Sequence, residues 1–378
     1  MTPPPHLLHV FSTFVPAGPE VRTVRLINAL GSELRHSILA IDGRTDAAAL
    51  LDGSADARVL PSLPRAGTPA TVRALRALLS RERPDLVCSY NWGAFDAVLA
   101  TRFTRLAKRH LHHEDGFNID EAERFKPRRV WTRRLFLQGV ARVIVPSHTL
   151  ASVARDEWRL LANRVELVPN GIALDAFTER DGNPALRAEL GIAAETPVVG
   201  FVGHLRPVKN PERLVRAFAA VSSPTPPALV LLGEGEERER ILAVARELGV
   251  EERVHLVGHQ AETAPWYRLM DAFALSSDSE QMPVALLEAM ATGLPVASTD
   301  VGDVRHMLPK EQGEFVVGGD ADTRGAGLAR ALQRLVDDPE LRARLGAANR
   351  ARVEERYAFD RMLDAYRRLY LETLGGGR

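Results

Sequence analysis

Short apolar runs rich in Val, Ile and Leu alternate along the chain with longer stretches of helical period. This alternation is typical of a parallel β-sheet covered by helices on both faces, and it predicts an α/β fold. In the first half the apolar runs predict strands at 7–11, 37–41, 86–89, 143–146 and 165–168, and a further strand is expected at 109–111. Helices such as 68–81 and 147–160 are predicted between them, and Ser147, after Pro146, is the expected N-cap of the second helix.

The strand pattern begins again in the second half of the chain. A run at 197–203 is followed by apolar runs at 229–232, 254–257, 272–275 and 295–298. These runs predict a second wound sheet.

A turn separates the two sets of strands and predicts a domain boundary. In Val168-Pro-Asn-Gly-Ile172 proline blocks continuation of a strand, and Asn-Gly favours positive φ. We therefore expect domains at 1–170 and 171–355. The end of the chain reads as helical, and the apolar helix expected within 356–378 is predicted to pack back toward the N-terminal domain.

The composition of the 378 residues, 45% hydrophobic and 26% charged, fits two globular domains. No apolar stretch approaches the roughly 20 residues of a membrane span, and the first residues lack the basic region of a signal peptide. We therefore expect a cytoplasmic protein. Cys88, the single cysteine, stands in an apolar run and is expected to be a buried strand residue.

The net charge of zero hides an asymmetry, since residues 1–170 carry 24 basic against 17 acidic side chains. A nucleic-acid partner is not expected, because neither a dense basic stripe with interleaved aromatics nor a known binding module is present. Only four lysines occur in the chain, so a lysine within a motif carries more information than usual.

Charged and small residues follow the first predicted strand of the second half. Gly203 allows close approach of the backbone, while Arg206 and Lys209 place positive charge where a diphosphate could bind at the carboxyl end of a strand. A strand-to-helix turn with two solvated cations is the plainer interpretation, and from these residues alone it remains open.

A second motif follows the strand at 272–275. Glu280 precedes Met282 and Pro283, and proline there suits the first turn of a helix whose unpaired amides form an anion site. Glu288 lies one to two turns inside that helix. An exposed helix position is the plainer interpretation of Glu288.

Four blocks in this order resemble the retaining GT-B glycosyltransferases of family 4, the group that includes bacterial mannosyltransferases and sucrose synthase. The blocks are VPNGI at 168–172, VGHLRPVKN at 202–210, LLGEGEERER at 231–240 and SSDSEQMPVALLEAMATGLPVASTDVG at 276–302. The resemblance implies two doubly wound Rossmann-like parallel-sheet domains facing each other across a cleft. The N-terminal domain would be on the acceptor side, and the C-terminal domain would bind the nucleotide-sugar.

The resemblance also implies roles for single residues. Lys209 would bind the donor diphosphate, Glu280 the transferred sugar and Glu288 the ribose hydroxyls. The donor-binding set implied in the second half consists of Gly203, His204, Arg206, Lys209, Met282, Pro283, Val284 and Glu288. The sequence departs from the family at His204, where arginine is usual, and at Gln281, where glycine is usual.

In the first half, the resemblance places Gly18 beside the donor phosphate. A run of titratable groups follows the strand at 109–111, and the family carries a residue near the reacting sugar in this region. Both His113 and Asp115 are candidates for that catalytic position. We expect no metal site, because the adjacent histidines at 112 and 113 would point to opposite faces of a strand.

The stretch 126–136 is basic and has Trp131, Leu135 and Phe136 on one predicted helix face. Peripheral contact with the inner face of a membrane is one interpretation. The other, which we favour from sequence, turns the apolar face to the core and the arginines to water.

The resemblance implies transfer of a hexose from a UDP or GDP sugar with retention, in which the leaving diphosphate assists deprotonation of the acceptor. No cofactor or obligatory metal is implied, and the acceptor would be a glycan, a lipid-linked molecule or a small molecule, as in polysaccharide biosynthesis. Two alternatives remain: a nucleotide-sugar epimerase of the same architecture, and an inactive relative that binds nucleotide-sugar and regulates a partner.

Overall fold

The computed structural model describes residues 3–63, 67–116, 121, 125–177 and 181–375. The chain divides into two compact units: unit 1 is Met1–Asn170 with Met362–Arg378, and unit 2 is Gly171–Arg361. Each unit contains one parallel sheet among the described residues, as the alternating pattern predicts.

Unit 1 is built on seven described strands. They are β1 His6–Phe11, β2 Arg35–Ala40, β3 Ala57–Val59, β4 Leu86–Tyr90, β5 His110–His113, β6 Arg142–Val145 and β7 Val165–Leu167. Their order in the sheet is β3-β2-β1-β4-β5-β6-β7, so β1 and β4 are neighbours at the point where the order reverses. The helices within residues 1–170 are α1 Gly18–Leu30, α2 Thr68–Glu82, α3 Asp96–Thr101, α4 Pro127–Phe136 and α5 His148–Asp156.

Local predictions for unit 1 agree with the structure in most places. The Ser147 hydroxyl accepts a hydrogen bond from the Leu150 amide at 3.0 Å, which confirms the predicted N-cap. Cys88 is fully buried in β4. Helix α5 ends at Asp156 rather than at 160, because the chain turns to bury Trp158 completely. Strand β3 was missed, since its three residues are partly exposed and show no apolar run.

Among its described residues, unit 2 contains six strands and eight α-helices that lie wholly within it. The strands are β8 Val198–Val202, β9 Ala228–Leu232, β10 Val254–Gly258, β11 Ala272–Leu275, β12 Val296–Thr299 and β13 Val316–Val317. The helices are α6 Pro184–Glu189, α7 Pro211–Ala219, α8 Arg238–Glu247, α9 Ala264–Leu269, α10 Val284–Ala291, α11 Val304–Met307, α12 Ala321–Asp337 and α13 Pro339–Arg356.

The sheet of unit 2 has the order β10-β9-β8-β11-β12-β13, with the reversal between β8 and β11. Both of its faces are buried: Val198 and Phe273 pack into one apolar cluster, and Val199 and Ala272 into the other. This burial explains the continuous apolar runs that predicted its strands. Strand β13 was missed because two residues give no pattern.

The last helix, α14 Phe359–Gly375, begins in unit 2, and its residues from Met362 belong to unit 1. Within unit 1, Tyr366 and Tyr370 are buried, and Arg367 forms an ion pair with Glu33 at 3.1 Å. The apolar spacing of this helix therefore reflects packing.

Helix α4 contradicts the orientation that we favoured from sequence. Trp131 and Leu135 are 66% and 61% exposed, whereas Arg133 is 1% exposed. The reason is electrostatic, because Arg133 Nε donates to Glu114 Oε1 at 2.7 Å and its guanidinium also reaches Glu121. A buried guanidinium needs such partners, and they draw this face of the helix inward. None of the helices in the described ranges is both long and apolar enough to cross a membrane.

Candidate functional site

The two motifs of the second half meet at the point where the strand order of unit 2 reverses. Strands β8 and β11 pair in parallel, so the loops that follow them leave the same edge of the sheet side by side. In open parallel sheets ligands bind at such a point, because the helices on its two sides lie on opposite faces and leave a crevice.

Lys209 and Glu280 come together there although 71 positions separate them along the chain. Lys209 ends the short helical turn Pro207–Lys209, and its Nζ atom lies 2.5 Å from Glu280 Oε1. The same carboxylate oxygen accepts a hydrogen bond from the Ser277 hydroxyl at 2.7 Å. The side chains of Lys209 and Glu280 are 25% and 8% exposed. The pair is therefore held in place and partly open to solvent.

A polar network joins the two loops behind this pair. The Ser276 hydroxyl donates to the Lys209 carbonyl at 2.9 Å, and the Asp278 amide donates to the Val208 carbonyl at 2.8 Å. Asn210, at φ 44°, accepts from the Arg213 amide as the N-cap of α7, and its own side-chain amide donates to Asp278 at 2.9 Å. Sequence reasoning missed Asn210 and Asp278, because nothing in either motif shows that one contacts the other.

The glycines of the third block fix the loop after β8 from the other side. A Cβ atom on Gly233 would lie 2.0 Å from the Gly203 carbonyl oxygen, and one on Gly235 would lie 2.3 Å from the Leu205 oxygen. The Leu205 amide donates to the Glu234 carbonyl at 2.9 Å. These glycines allow two loops to lie in backbone contact, and they position the segment that carries Lys209.

Pro283 precedes the helix after Glu280 instead of lying in its first turn, where the sequence predicted it. Pro283 is the N-cap of α10, with φ −67° and ψ 119°, and Val284 is the first helical residue. The first amides of a helix have no acceptor within it. One of them, the Leu286 amide, donates to the Pro283 carbonyl at 3.2 Å, so the first donors available to an anion are those of Val284 and Ala285. Met282 and Pro283 are buried beneath this turn.

Glu288 lies on the next turn of α10 and contacts a different element. Its Oε2 atom accepts a hydrogen bond from the Thr263 hydroxyl at 3.4 Å. The ring of Tyr267 is buried beside it, and burial together with the charge of Glu288 raises the pKa of Tyr267 well above its ordinary value. The structure thus joins Lys209 directly to Glu280 and places Glu288 against α9. His204 and Arg206 are exposed on the loop after β8.

The candidates from the first half lie in unit 1. Gly18 is the first residue of α1, and a Cβ atom there would meet nothing within 4 Å. His113 ends β5, is 1% exposed, and stacks between Tyr90 and Tyr366 with ring centroids 4.4 Å and 5.9 Å away. Burial, assisted by the charge of Arg22, holds the pKa of His113 well below its ordinary value. The imidazole is therefore neutral at pH 7.

Asp115 forms a two-pronged ion pair with Arg22, at 2.5 Å and 3.0 Å. Arg22 NH1 also donates to Asn170 at 3.0 Å, and the Asp115 amide donates to the Asn91 side chain at 2.7 Å. Asp115 is therefore fixed within unit 1.

Glu20 is a buried carboxyl that sequence reasoning did not single out. Its Oε2 atom has no hydrogen-bond partner among the described residues. Burial raises the pKa of Glu20 to about 7, and the negative charge of Asp115 adds to the increase. Nothing in its local sequence distinguishes it from an ordinary first-turn glutamate on α1.

The adjacent histidines of β5 point to opposite faces, as the strand period requires. His112 packs edge-on against Phe95 and shares a hydrogen bond with the Ser89 hydroxyl at 2.7 Å, whereas His113 faces Tyr90. Within the described ranges, no cluster of three His, Cys, Asp or Glu side chains is arranged to hold a metal ion.

Two family models match the chain. Residues 183–352 match the model described as "Glycosyl transferases group 1", and residues 16–176 match the model described as "Glycosyltransferase Family 4". Together they cover strands β2 to β13 and both sets of candidate residues.

Curated glycosyltransferases align with part of the chain. A D-inositol 3-phosphate glycosyltransferase of Xylanimonas cellulosilytica is 32% identical over 250 residues, which are 60% of this chain and 58% of the relative. The lipopolysaccharide core biosynthesis glycosyltransferase LpsE of Rhizobium meliloti is 35% identical over 184 residues, 48% of this chain and 52% of the relative. The chain thus spans little more than half the length of the curated relatives it matches.

Solved structures share the fold over nearly the whole chain. A sucrose-phosphate synthase from Thermosynechococcus elongatus superimposes with a TM-score of 0.82 at 22% identity, covering 98% of this chain and 100% of that one. The Anabaena protein HepE, solved in complex with UDP and glucose, gives a TM-score of 0.80 at 18% identity, covering 96% and 98%. These likenesses establish the fold.

Proposed function

The chain belongs to glycosyltransferase family 4, and from this premise we propose that it transfers a hexose from a nucleotide-diphosphate sugar to an acceptor with retention of configuration. The observation that carries the proposal is the contact of Lys209 with Glu280 beside the first turn of α10. A cation, a carboxylate and free helix amides then share one edge of the sheet, and this is the chemistry that a sugar diphosphate requires.

In the proposed reaction Lys209 and the amides of Val284 and Ala285 bind the diphosphate and stabilise its charge as it leaves. These groups are already oriented by the protein, so little reorganisation is needed when the negative charge develops. Positive charge from the chain itself makes an obligatory metal or other cofactor unnecessary in this proposal.

The carboxylates have separate tasks in this proposal. Glu280, beside Lys209, accepts hydrogen bonds from hydroxyls of the transferred sugar, while Glu288, beside Thr263, accepts them from the ribose. Gly203, His204 and Arg206, on the loop after β8, complete the donor site, with Met282 and Pro283 supporting the turn before α10.

The acceptor side is assigned to unit 1. Gly18, with open space around it, would admit the donor phosphate close to the backbone of α1. His113 and Asp115 remain the candidates nearest the reacting sugar. Because retention places the acceptor on the face from which the diphosphate leaves, the diphosphate itself would assist removal of the acceptor proton.

The donor is proposed to be a UDP or GDP sugar and the acceptor a glycan, a lipid-linked molecule or a small molecule. Support for a nucleotide donor comes from HepE, which was solved with UDP, and support for a sugar or cyclitol acceptor comes from the names of the curated relatives. We further propose a cytoplasmic location with peripheral contact of residues 126–136 at the inner face of the membrane.

The first experiment is a donor screen followed by two substitutions. The chain is assayed by thermal shift and by donor hydrolysis or transfer with UDP-glucose, GDP-mannose and related sugars. We expect Lys209→Ala and Glu280→Gln to lower turnover at least a hundredfold while the protein stays folded, since each removes a group that acts on the developing charge or the sugar.

Lys310→Ala is the matched control, because Lys310 is an exposed lysine of the same unit. Its turnover should equal that of the wild type. Full activity of Lys209→Ala would contradict the proposal. Stabilisation by nucleotide without any turnover would favour the inactive, regulatory alternative, and conversion of the donor sugar without an acceptor would favour the epimerase.

A further inference from the structure

Asp278 lies in the loop after β11, and its side chain joins three other elements of unit 2. Its Oδ1 atom lies 2.7 Å from Arg213 Nη2 of α7 and 3.5 Å from Arg324 Nη1 near the start of α12. Its Oδ2 atom accepts a hydrogen bond from the Asn210 side-chain amide at 2.9 Å. One carboxylate therefore holds two guanidinium groups and the residue that follows Lys209.

The contacts of Asp278 enclose Lys209 along the chain. The Asp278 amide donates to the Val208 carbonyl at 2.8 Å, just before Lys209, and the Asp278 carboxylate contacts Asn210, just after it. Asn210 has a φ of 44°, a left-handed conformation that costs free energy for a residue with a Cβ atom and persists where its surroundings hold it. The backbone that carries Lys209 is therefore fixed on both sides by one residue of the neighbouring loop.

Arg213 connects Asp278 to the start of α7. Its side chain is 8% exposed, and its Nη1 atom donates to the Ser276 carbonyl at 2.8 Å while Nη2 pairs with Asp278. The Asp278 side chain is 41% exposed, so water would take its place if it were removed, and the guanidinium would turn toward this water. We expect the fold to survive such a change, but the anchor between the two loops would be lost.

We propose that Asp278 is a positioning residue for transfer, which holds the Lys209 ammonium group against Glu280, and this inference rests on the roles proposed above for those two residues. Lysine has a flexible four-carbon stem, so its ammonium group is placed only as accurately as the backbone beneath it. A displacement of about 1 Å in an active site can cost about a hundredfold in rate. Asp278 acts through Lys209 and itself touches neither the donor nor the acceptor.

The first test measures turnover of the donor sugar that the screen identifies. We expect Asp278→Ala to lower kcat about tenfold or more, because a group that acts on the developing charge is displaced. The KM for the donor should change less than kcat, since the lost interaction is strongest in the transition state. Asp278→Asn keeps an oxygen for Arg213 but cannot also accept from Asn210, so its kcat should lie between those of Asp278→Ala and the wild type.

The second test asks whether Asp278 acts through Lys209, and it measures UDP binding to the full chain by calorimetry. The affinity for UDP should fall in Asp278→Ala and fall further in Lys209→Ala. The double variant should bind UDP as Lys209→Ala does, because Asp278 then has no ammonium group to position. A purely structural role of Asp278 would weaken UDP binding by a further factor in the double variant.

Glu212→Ala is the matched control. Glu212 lies on α7 and pairs with Arg216 at 3.0 Å and with Arg240, so its removal also deprives two arginines of a shared carboxylate. Neither partner lies in the loop after β8 or in the loop after β11, and turnover and UDP affinity should equal those of the wild type. Thermal unfolding of each variant checks that it is folded.

Wild-type turnover in a folded Asp278→Ala, or additive loss of UDP affinity in the double variant, would overturn the inference and leave the roles of Lys209 and Glu280 intact. If Asp278→Ala does not fold, Asp278→Asn decides, and a kcat equal to that of the wild type overturns the inference. Full activity of Lys209→Ala, or a wild type that binds no UDP, would overturn the proposed function and this inference with it.

Discussion

Glu20 provides a test of the electrostatics of unit 1 at the scale of one residue. Its pKa is raised to about 7 in the folded protein, above its ordinary value of 4.5, so between these pH values the unfolded chain loses a proton that the folded chain retains. Glu20 therefore costs stability as the pH rises through this window, and the cost is constant above it. Glutamine cannot ionise and escapes this cost.

The quantity to compare is the free energy of unfolding of Glu20→Gln minus that of the wild type. We expect this difference to be about 1–3 kcal/mol larger at pH 8 than at pH 5. Urea unfolding of both proteins at the two pH values measures this change, and the wild type at pH 5 serves as its own reference. The same difference at both pH values would show that the carboxyl does not titrate in this window.

Single residues could be singled out as candidates from the sequence where their motif carried the information. Lys209 stands out because lysine is rare in this chain, and Glu280 because it precedes a proline at a helix start. Arg22 and Glu20 did not stand out, because their importance comes from Asp115, which lies about ninety positions away and meets them only in the folded sheet.

At the scale of elements, Gly233 in the loop after β9 supports the conformation of the loop after β8, which carries Lys209. It has a φ of 134°, and a Cβ atom there would lie 2.0 Å from the Gly203 carbonyl oxygen. Both the conformation and the contact exclude a side chain. We expect Gly233→Ala to lower the free energy of unfolding by about 1–3 kcal/mol and to weaken nucleotide binding, because the segment carrying Lys209 must move.

Gly325→Ala is the matched control for this substitution. Gly325 lies within α12, and a Cβ atom there would meet nothing within 4 Å, so alanine should stabilise the chain by about 0.4–1 kcal/mol. Chemical denaturation and titration with UDP measure both effects. If Gly233→Ala is destabilised but binds nucleotide as the wild type does, the packing at Gly233 does not affect the donor site, and this prediction is wrong.

Strands were predictable from the sequence where both of their faces are buried. The direction in which a helix face points was not predictable. The strands at the centre of each sheet follow from continuous apolar runs, whereas β3 and β13 are too short to leave a pattern. Helix α4 shows a second limit. The spacing of its apolar residues shows that they share one face of the helix, but not whether that face points to the core or to solvent. The ion pair of Arg133 with Glu114 decides this.

At the scale of the whole molecule, two sheets of the same architecture carry different chemistry. The reversal point of the second sheet holds Lys209 and Glu280, and the corresponding edge of the first holds the Arg22–Asp115 pair. If the donor binds as proposed, its nucleotide should protect the backbone mainly in unit 2, because the diphosphate and ribose ligands are assigned there. Hydrogen exchange measured along the full chain reports this distribution directly.

We expect UDP to slow exchange most in residues 203–210 and 276–288, the loops after β8 and β11 and the start of α10. A smaller effect is expected near Gly18, where only a phosphate would approach, and none in α8, which carries no proposed ligand. Lys209→Ala should reduce the protection in both loops together, since the removed ammonium joins them through Glu280. Protection confined to unit 1 would place the nucleotide on the other sheet, and the roles proposed for Lys209, Glu280 and Glu288 would then have to be abandoned.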